Sequence, residues 1–449
     1  MNKKTIRDVL NLALPAVGEM ILYMLIWICD TMMIGKYGGK LTVTAVGLSA
    51  QIIYTFIGIF VGNGISVGVT SLVARNVGAK NYKRAEEYAS VSLHITLFLS
   101  IVVSILFFVF AKEILLIAGA TGEVVILGTS YIKICSVQIF FYMMRNNLNG
   151  VLRGQGDTKT PLYSSIIINV INIGLDWILI FGRFGFKEMG VEGAAVATSV
   201  ASVIGFVFTL LHIRNKEYIK PEINSILKMN LKRGKELMKL SIPASLQEAS
   251  FSIARLINTF MIMILGNVAF SANEITVSIE SLSFMPGWGF AVASTTLVGQ
   301  KIGENRYDKA REYANTSIIL SAGVMGVCSC IFILFPSNLI QMFIKSSETE
   351  VIRLGTICLM IASIEQIPMA ISMTTEGILK GIGDTKNPFI VALITNWLIR
   401  LPLMYYFIAI KKSSITYVWW ITSIQWILQG GIIYMIYKYK FDKMLKKSK

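Results

Sequence analysis

The sequence predicts an all-α integral membrane protein: twelve transmembrane helices, arranged as two parallel six-helix repeats around a central cavity. Three observations predict it. The first is composition. Of 449 residues, 54% are hydrophobic and 15% are charged, against roughly 25% charged in soluble domains. The second is the recurrence from end to end of apolar runs of about 20 residues, the length that crosses a bilayer. The third is an internal duplication. Gly154-Gln-Gly-Asp-Thr-Lys-Thr-Pro161 returns as Gly381-Ile-Gly-Asp-Thr-Lys-Asn-Pro388, and Leu14-Pro-Ala16 returns as Ile242-Pro-Ala244. Residues 70–89 return, loosened, as 296–314. The pairs are displaced by 225 to 228 residues. One unit of about half the chain has been used twice, as in many transporters.

The apolar runs place spans 1 to 12 at 11–35, 42–72, 88–110, 124–152, 160–181, 193–214, 241–264, 268–298, 314–335, 350–378, 388–410 and 415–438. Several exceed the minimum, so tilt or a kink is expected. Gly62-Asn-Gly64 is the expected break in span 2. Span 1 is too long for a cleaved signal peptide, lacks a small-x-small cleavage site, and carries Glu19 and Asp30.

Six spans fall to each repeat. Residues 1–214 form one bundle and 241–449 the other, which ends in a basic tail. Residues 215–240 form a basic cytoplasmic linker. Its apolar positions (Ile223, Ile226, Leu227, Leu231, Leu237 and Met238) suit a short amphipathic helix on the membrane surface. An even number of spans per repeat makes the second repeat enter the membrane in the same sense as the first. The repeats are then parallel, and a cavity between them can open alternately to either side.

Charge sets the orientation. Of 42 Lys and Arg residues, 29 fall on the terminal tails and the loops on their side of the membrane, and nine on the opposite loops. This excess places both termini in the cytoplasm. It also accounts for the net charge of +16, which contact with anionic lipid explains without any nucleic acid. The expected setting is the plasma membrane (a cell's inner membrane), with membrane lipids as neighbours and the monomer as the working form. The five cysteines all fall in spans, are odd in number and show no metal spacing, so no disulfide framework is expected. The duplicated Gly-Asp-Thr-Lys segments read as helix starters. Thr160-Pro161 and Asn387-Pro388 each put a capping residue before a proline.

An ionisable group within a span is costly, and by default it marks a functional position. Asp30 lies deep in span 1, and Asp176 lies in span 5. Ser165, Asn169, Asn172 and Asp176 are spaced 4, 3 and 4 apart and so share one helix face. Thr198 and Ser199 of span 6 can join that stripe. Such oxygens suit a desolvated Na⁺. Alternatively, burial and a like-charged neighbour favour a carboxylate that carries a proton. A polar network that merely ties helices together is the competing reading. Aligned on the repeats, Asp30 falls on Asn258 and Asp176 on Leu403, so an ion site is expected in the first half, with the second half supplying shape. Glu19 suits a vestibule or a snorkelling position. Glu248, Arg255 and Glu280 are expected to form a network in the second half, within reach of substrate; Glu365, Glu376, Arg145 and Arg400 rank lower. Tyr23 and Trp27, two turns and one turn before Asp30, suit stacking on a flat lipophilic cation, and Met side chains give pliable walls.

These residues resemble the multidrug and toxic compound extrusion (MATE) family over nearly the whole chain. The resemblance rests on Pro15, Asp30-Thr31 and Gly35, on the two Gly-Asp-Thr-Lys-x-Pro turns, on Gly190-Val-Glu-Gly-Ala-Ala-Val-Ala-Thr198 and on Leu297-Val-Gly-Gln-Lys-Ile-Gly303. It implies an antiporter that expels cationic amphiphiles against an inward Na⁺ or H⁺ gradient. In the branch that looks like DinF, an acidic pair works with an Asn and a Thr. Asp30, Asn172, Asp176 and Thr198 occupy the matching places and would hold any Na⁺. The substrate cavity is expected around Tyr23, Trp27, Asn169, Glu248, Arg255, Asn258 and Glu280. Members similar to NorM use carboxylates in spans 7 and 10, and Glu248 sits closer to Pro243 than that pattern asks.

Two other readings compete. A flippase for lipid-linked precursors would share the two-bundle design but would show a basic cavity and extra helices. A membrane-embedded enzyme would need catalytic clusters. No metal-spaced His set, nucleophile motif or phosphate loop appears, so no catalytic residue and no cofactor beyond the coupling ion is expected.

Overall fold

A computed structural model describes residues 2–215 and 230–448, apart from the side chains of 60–63 and 447–448. Among the described residues every regular element is helical. Eight helices of the described residues are long and apolar enough to cross a membrane. One of them, Lys3–Ile57, carries spans 1 and 2 joined across a kink at Gly39 (φ 66°, ψ −145°), a backbone conformation open chiefly to glycine. Helices Leu231–Met263, Asn267–Gly303 and Thr416–Ser448 supply spans 7, 8 and 12. The remaining spans are Tyr82–Val109, Glu123–Gln155, Lys159–Leu179, Gly190–Arg214, Tyr307–Leu334, Thr349–Gly381 and Lys386–Ile410. The twelve-helix reading stands. The expected break in span 2 is a π-helical stretch, Gly58–Ile65, and span 11 contains two more, Ile394–Arg400 and Tyr405–Ile410.

Much of the expected linker, 216–229, lies outside the described residues. Its end does not form a separate surface helix. Leu231–Leu240 is the start of the long helix that becomes span 7. The compact units also differ from the sequence boundaries. One is Gly18–Ser245; the other combines Met1–Val17 with Leu246–Lys449.

Inside each unit the repeat reappears as the same helix contact. In the first, Cβ atoms added at Gly150 and Gly154 would meet the Ser66 and Thr70 carbonyl oxygens at 2.9 Å each. In the second, Gly377 and Gly381 face the carbonyls of Ala291 and Thr295 in the same way. Thr70 donates to the Gly150 carbonyl at 2.8 Å, and Thr295 donates to that of Gly377 at 2.9 Å. Two glycines four residues apart let span 4 lie against span 2, and span 10 against span 8, at backbone distance. Small residues serve this purpose in membranes, where apolar burial does not drive helices together. Gly377→Ala should therefore push spans 8 and 10 apart and cost about 1–3 kcal/mol, the usual penalty of overpacking. A thermal unfolding scan in detergent reads this as a lowered midpoint, and an unchanged midpoint would contradict the packing.

The duplicated turns do start helices, but the capping atoms are not the expected ones. Asp157 Oδ1 accepts the Lys159 and Thr160 amides at 3.1 and 2.9 Å, and Asp157 Oδ2 takes the Thr160 hydroxyl at 2.6 Å. Asp384 does the same for Asn387, at 3.1 Å to its amide and 2.6 Å to its side chain. The carboxylate reaches three residues forward, so Thr160 and Asn387 are held by the cap rather than supplying it. Gly156 and Gly383 precede these acids at φ 91° and 86°, where a side chain would be strained.

Candidate functional site

Span 5 presents the predicted stripe inward. Ser165, Asn169, Asn172 and Asp176 are all buried, and Asp176 is fully so. The i, i+4, i+7, i+11 spacing gives them one face, and that face packs on span 6. There the Asn172 side-chain amide donates to the Thr198 hydroxyl at 3.3 Å, and Thr198 donates to the Ala194 carbonyl at 2.8 Å. Asn169 donates to the Ser165 carbonyl at 2.8 Å. Asp30, half-buried on span 1, lies close enough to Asp176 for the two carboxylates to act on each other, with Asn172 beside them. The four expected coupling residues are thus together.

Two carboxylates that face each other can only accept. Unless a proton or a cation lies between them, neither supplies the other with a hydrogen bond. Asp30 Oδ1 and both Asp176 oxygens have no hydrogen-bond donor, and the same holds for Asn172 Oδ1 and Asn169 Oδ1. Buried oxygens without donors are costly. A hard monovalent cation or a shared proton would satisfy this set.

Tyr23 and Trp27 separate. Trp27 is 54% exposed. Tyr23 belongs to a polar network deeper along span 1: its hydroxyl donates to Glu19 at 3.4 Å and accepts from Arg145 at 3.1 Å. The Arg145 guanidinium also lies over the Tyr23 and Tyr142 rings, 5.7 and 5.2 Å from their centroids. Glu19 is neither in a vestibule nor snorkelling. It is fully buried and paired with Arg153 at 2.7 Å, with Asn149 donating at 3.3 Å. Arg153, expected in the cytoplasmic loop, is buried too.

The second half departs further from expectation. Glu280 is held by residues outside the expected trio of Glu248, Arg255 and Glu280. Arg255 is exposed and Glu248 half-buried, while Glu280 accepts from Gln366 at 3.4 Å and lies close enough to Glu365 for the two acids to act on each other. Ser283 donates to Gln366 at 2.6 Å, Ser423 donates to Glu365 at 3.0 Å, and the Arg400 charge acts on both acids. The second half therefore has its own acidic pair, Glu365 buried and Glu280 half-buried, which the repeat alignment hid because Glu280 and Glu365 do not sit at the positions of Asp30 and Asp176. Their signal was simply mid-span charge. Asn258, the counterpart of Asp30, is buried with neither side-chain polar atom partnered. All five cysteines are free.

A family profile described as MatE matches residues 15–178 and again 243–406. The chain belongs to the MatE family. The two matched stretches fall one in each repeat, in register with Pro15 and Pro243. The chain is 30% identical over 420 residues to a protein of Thermotoga maritima named probable multidrug resistance protein NorM, covering 92% of this chain and 88% of that one. It is 27% identical to the uncharacterized transporter YisQ of Bacillus subtilis, covering 88% and 86%. Its fold matches the outward-facing conformation of a multidrug resistance MATE family transporter of the MOP superfamily, with a TM-score of 0.89 at 23% identity over 98% and 96% of the two chains. At that identity the structural match speaks for the fold alone. The protein is a multi-pass membrane protein of a transporter family.

Proposed function

We propose that this MatE protein is a secondary active antiporter that exports cationic amphiphilic compounds in exchange for Na⁺ or H⁺ by alternating access. The observation that carries the reading is the Asp30–Asp176 pair, with its surrounding oxygens unmatched by donors. The multidrug resistance names of its relatives support the substrate class. Asp30, Asn172, Asp176 and Thr198 bind the coupling ion. A bare acidic pair attracts a lipophilic cation toward Asp30 and the exposed ring of Trp27. Entry of Na⁺ or H⁺ neutralises the pair and weakens that attraction. The two ligands are then antagonists, and by linkage the antagonism is reciprocal. The protein works as a monomer in the plasma membrane with both termini cytoplasmic, needs no prosthetic group, and catalyses no covalent step.

Direct binding of a fluorescent lipophilic cation to purified protein, titrated separately with Na⁺ and with acid, tests this. Dye affinity should fall at least about tenfold as one of the two ions saturates, which corresponds to a coupling of about 1.4 kcal/mol. Dye affinity indifferent to both ions would defeat the proposal. Binding of an anionic lipid-linked sugar in place of the dye would favour the flippase reading.

A further inference from the structure

Span 4 carries a polar stripe outside the ion-binding set. Within the helix Glu123–Gln155, Cys135, Gln138, Tyr142, Arg145, Asn149 and Arg153 follow one another at spacings of three and four, so they share one face. Span 1 meets this face running the other way. Glu19 contacts Asn149 and Arg153, Tyr23 contacts Tyr142 and Arg145, and the Asp30 charge acts on Cys135. All of these residues belong to the unit Gly18–Ser245.

Arg145 stands apart on the stripe. It is 1% exposed in the middle of a span, where an ionised group is costly. Its Nη2 donates to the Tyr23 hydroxyl at 3.1 Å, while Nε and Nη1 have no partner. The acid whose charge reaches it is Glu19. Glu19 is already matched, because Arg153 meets both of its oxygens. Arg145 is thus a buried positive charge with no carboxylate of its own.

The opposite excess lies further along the same face. Asp30 and Asp176 act on each other. The other titratable groups that feel Asp30 are Cys29, Cys135, Tyr54 and Tyr131, all neutral types near pH 7. Three acids therefore face two guanidiniums inside this unit. One negative charge is left over, and one monovalent cation cancels it.

The separation makes this balance matter. Tyr23 stands two turns before Asp30 on the same face, and Arg145 stands ten residues from Cys135. The guanidinium is then on the order of 10–15 Å from the acidic pair. The rings of Tyr23, Tyr142 and Tyr54 line the interval, with successive centroids 6.3 and 6.0 Å apart. At such a distance and an effective dielectric of about 20, two unit charges change an equilibrium constant by about tenfold.

We infer that Arg145 is an internal counter-cation for Asp30 and Asp176, so that two carboxylates take one coupling ion rather than two and release it readily. Arg145 touches no ion and acts through the pair, which makes it a positioning residue. The inference rests on the ion-coupling reading of that pair. An antiporter must give up its ion in every cycle, and a fixed positive charge nearby keeps the grip weak.

Direct ion binding to the purified full-length protein tests this, by calorimetry with Na⁺ alone and by proton uptake in weak buffer. Asp30→Asn with Asp176→Asn serves as the blank. The wild type should bind one cation. Arg145→Gln should bind it at least about tenfold more tightly and take up a second, whereas Arg145→Lys should bind one, within about threefold of wild type. A residue that merely ties spans 1 and 4 together predicts no gain in affinity. Asp30→Asn should bind no cation, because Arg145 then balances Asp176. Adding Arg145→Gln to Asp30→Asn should restore the binding of one. This double variant has no unmatched guanidinium, so it decides the question even where Arg145→Gln alone fails to fold. Two cations on the wild type, unchanged or weaker binding by Arg145→Gln, or no restoration in the double variant would overturn the inference. The expected pattern in a protein that exports no cation would leave the counter-cation standing and refute the antiporter. Ion-driven export without the pattern would do the reverse.

Discussion

Asp30→Asn is expected to reduce ion-driven dye efflux by about 100-fold or more, a loss on the order of 2.7 kcal/mol in coupling, while the protein remains folded. The amide keeps the size and polarity of the side chain but removes the charge. Asp30 is half-buried, whereas Asp176 is wholly enclosed and Asn172 and Thr198 are already committed to each other. Asp30 is therefore the member of the pair that an incoming cation meets. With an amide in its place, the repulsion between two facing carboxylates disappears, and so does the reason for a proton or Na⁺ to sit between them. The variant should behave as though permanently loaded: weak dye binding, no response of that binding to Na⁺ or pH, and no efflux. Asp176→Asn should give a similar loss, and Asn172→Ala a partial one. Efflux in proteoliposomes, with size-exclusion elution as the folding control, decides the matter. Wild-type efflux by correctly inserted Asp30→Asn protein would remove Asp30 from the mechanism.

The fold was legible because the features that specify it are local. Apolar length gives the spans, and duplicated turns give the repeat. The first acidic site was legible for the same reason: Ser165, Asn169, Asn172 and Asp176 announce a single helix face by spacing alone. What stayed hidden depends on partners far apart in sequence. Glu19 and Arg153 are 134 positions apart, and neither residue alone distinguishes a buried ion pair from a snorkelling side chain or a loop cation. Glu280 and Glu365 come from spans 8 and 10 and have no acidic counterparts in the first half. The exchange of helix starts was invisible for another reason. A repeat tells which segments are alike but not which copy each packs against.

Glu19→Ala is expected to be the most destabilising single change in the first unit. Glu19 is fully buried, and its two oxygens take Arg153 at 2.7 and 2.8 Å while one also takes Asn149. Removing it leaves a guanidinium enclosed without its counter-charge, beside a second buried guanidinium at Arg145 that reaches the same tyrosine hydroxyl as Glu19. Breaking one partner of a buried pair costs about 3–5 kcal/mol, because the remaining charge is uncompensated. The cavity left by the side chain adds to this. Glu19→Gln should cost less, since the amide oxygen can still accept from Arg153, and Glu19→Gln with Arg153→Gln less again, since no naked charge remains. The order of thermal midpoints in detergent should then be wild type, double Gln variant, Glu19→Gln and Glu19→Ala, from highest to lowest. A double variant no more stable than Glu19→Gln would mean that the two residues do not act as a pair. If Glu19→Ala unfolded at the wild-type temperature, the guanidinium would have found water, and the buried ion pair would not exist as described.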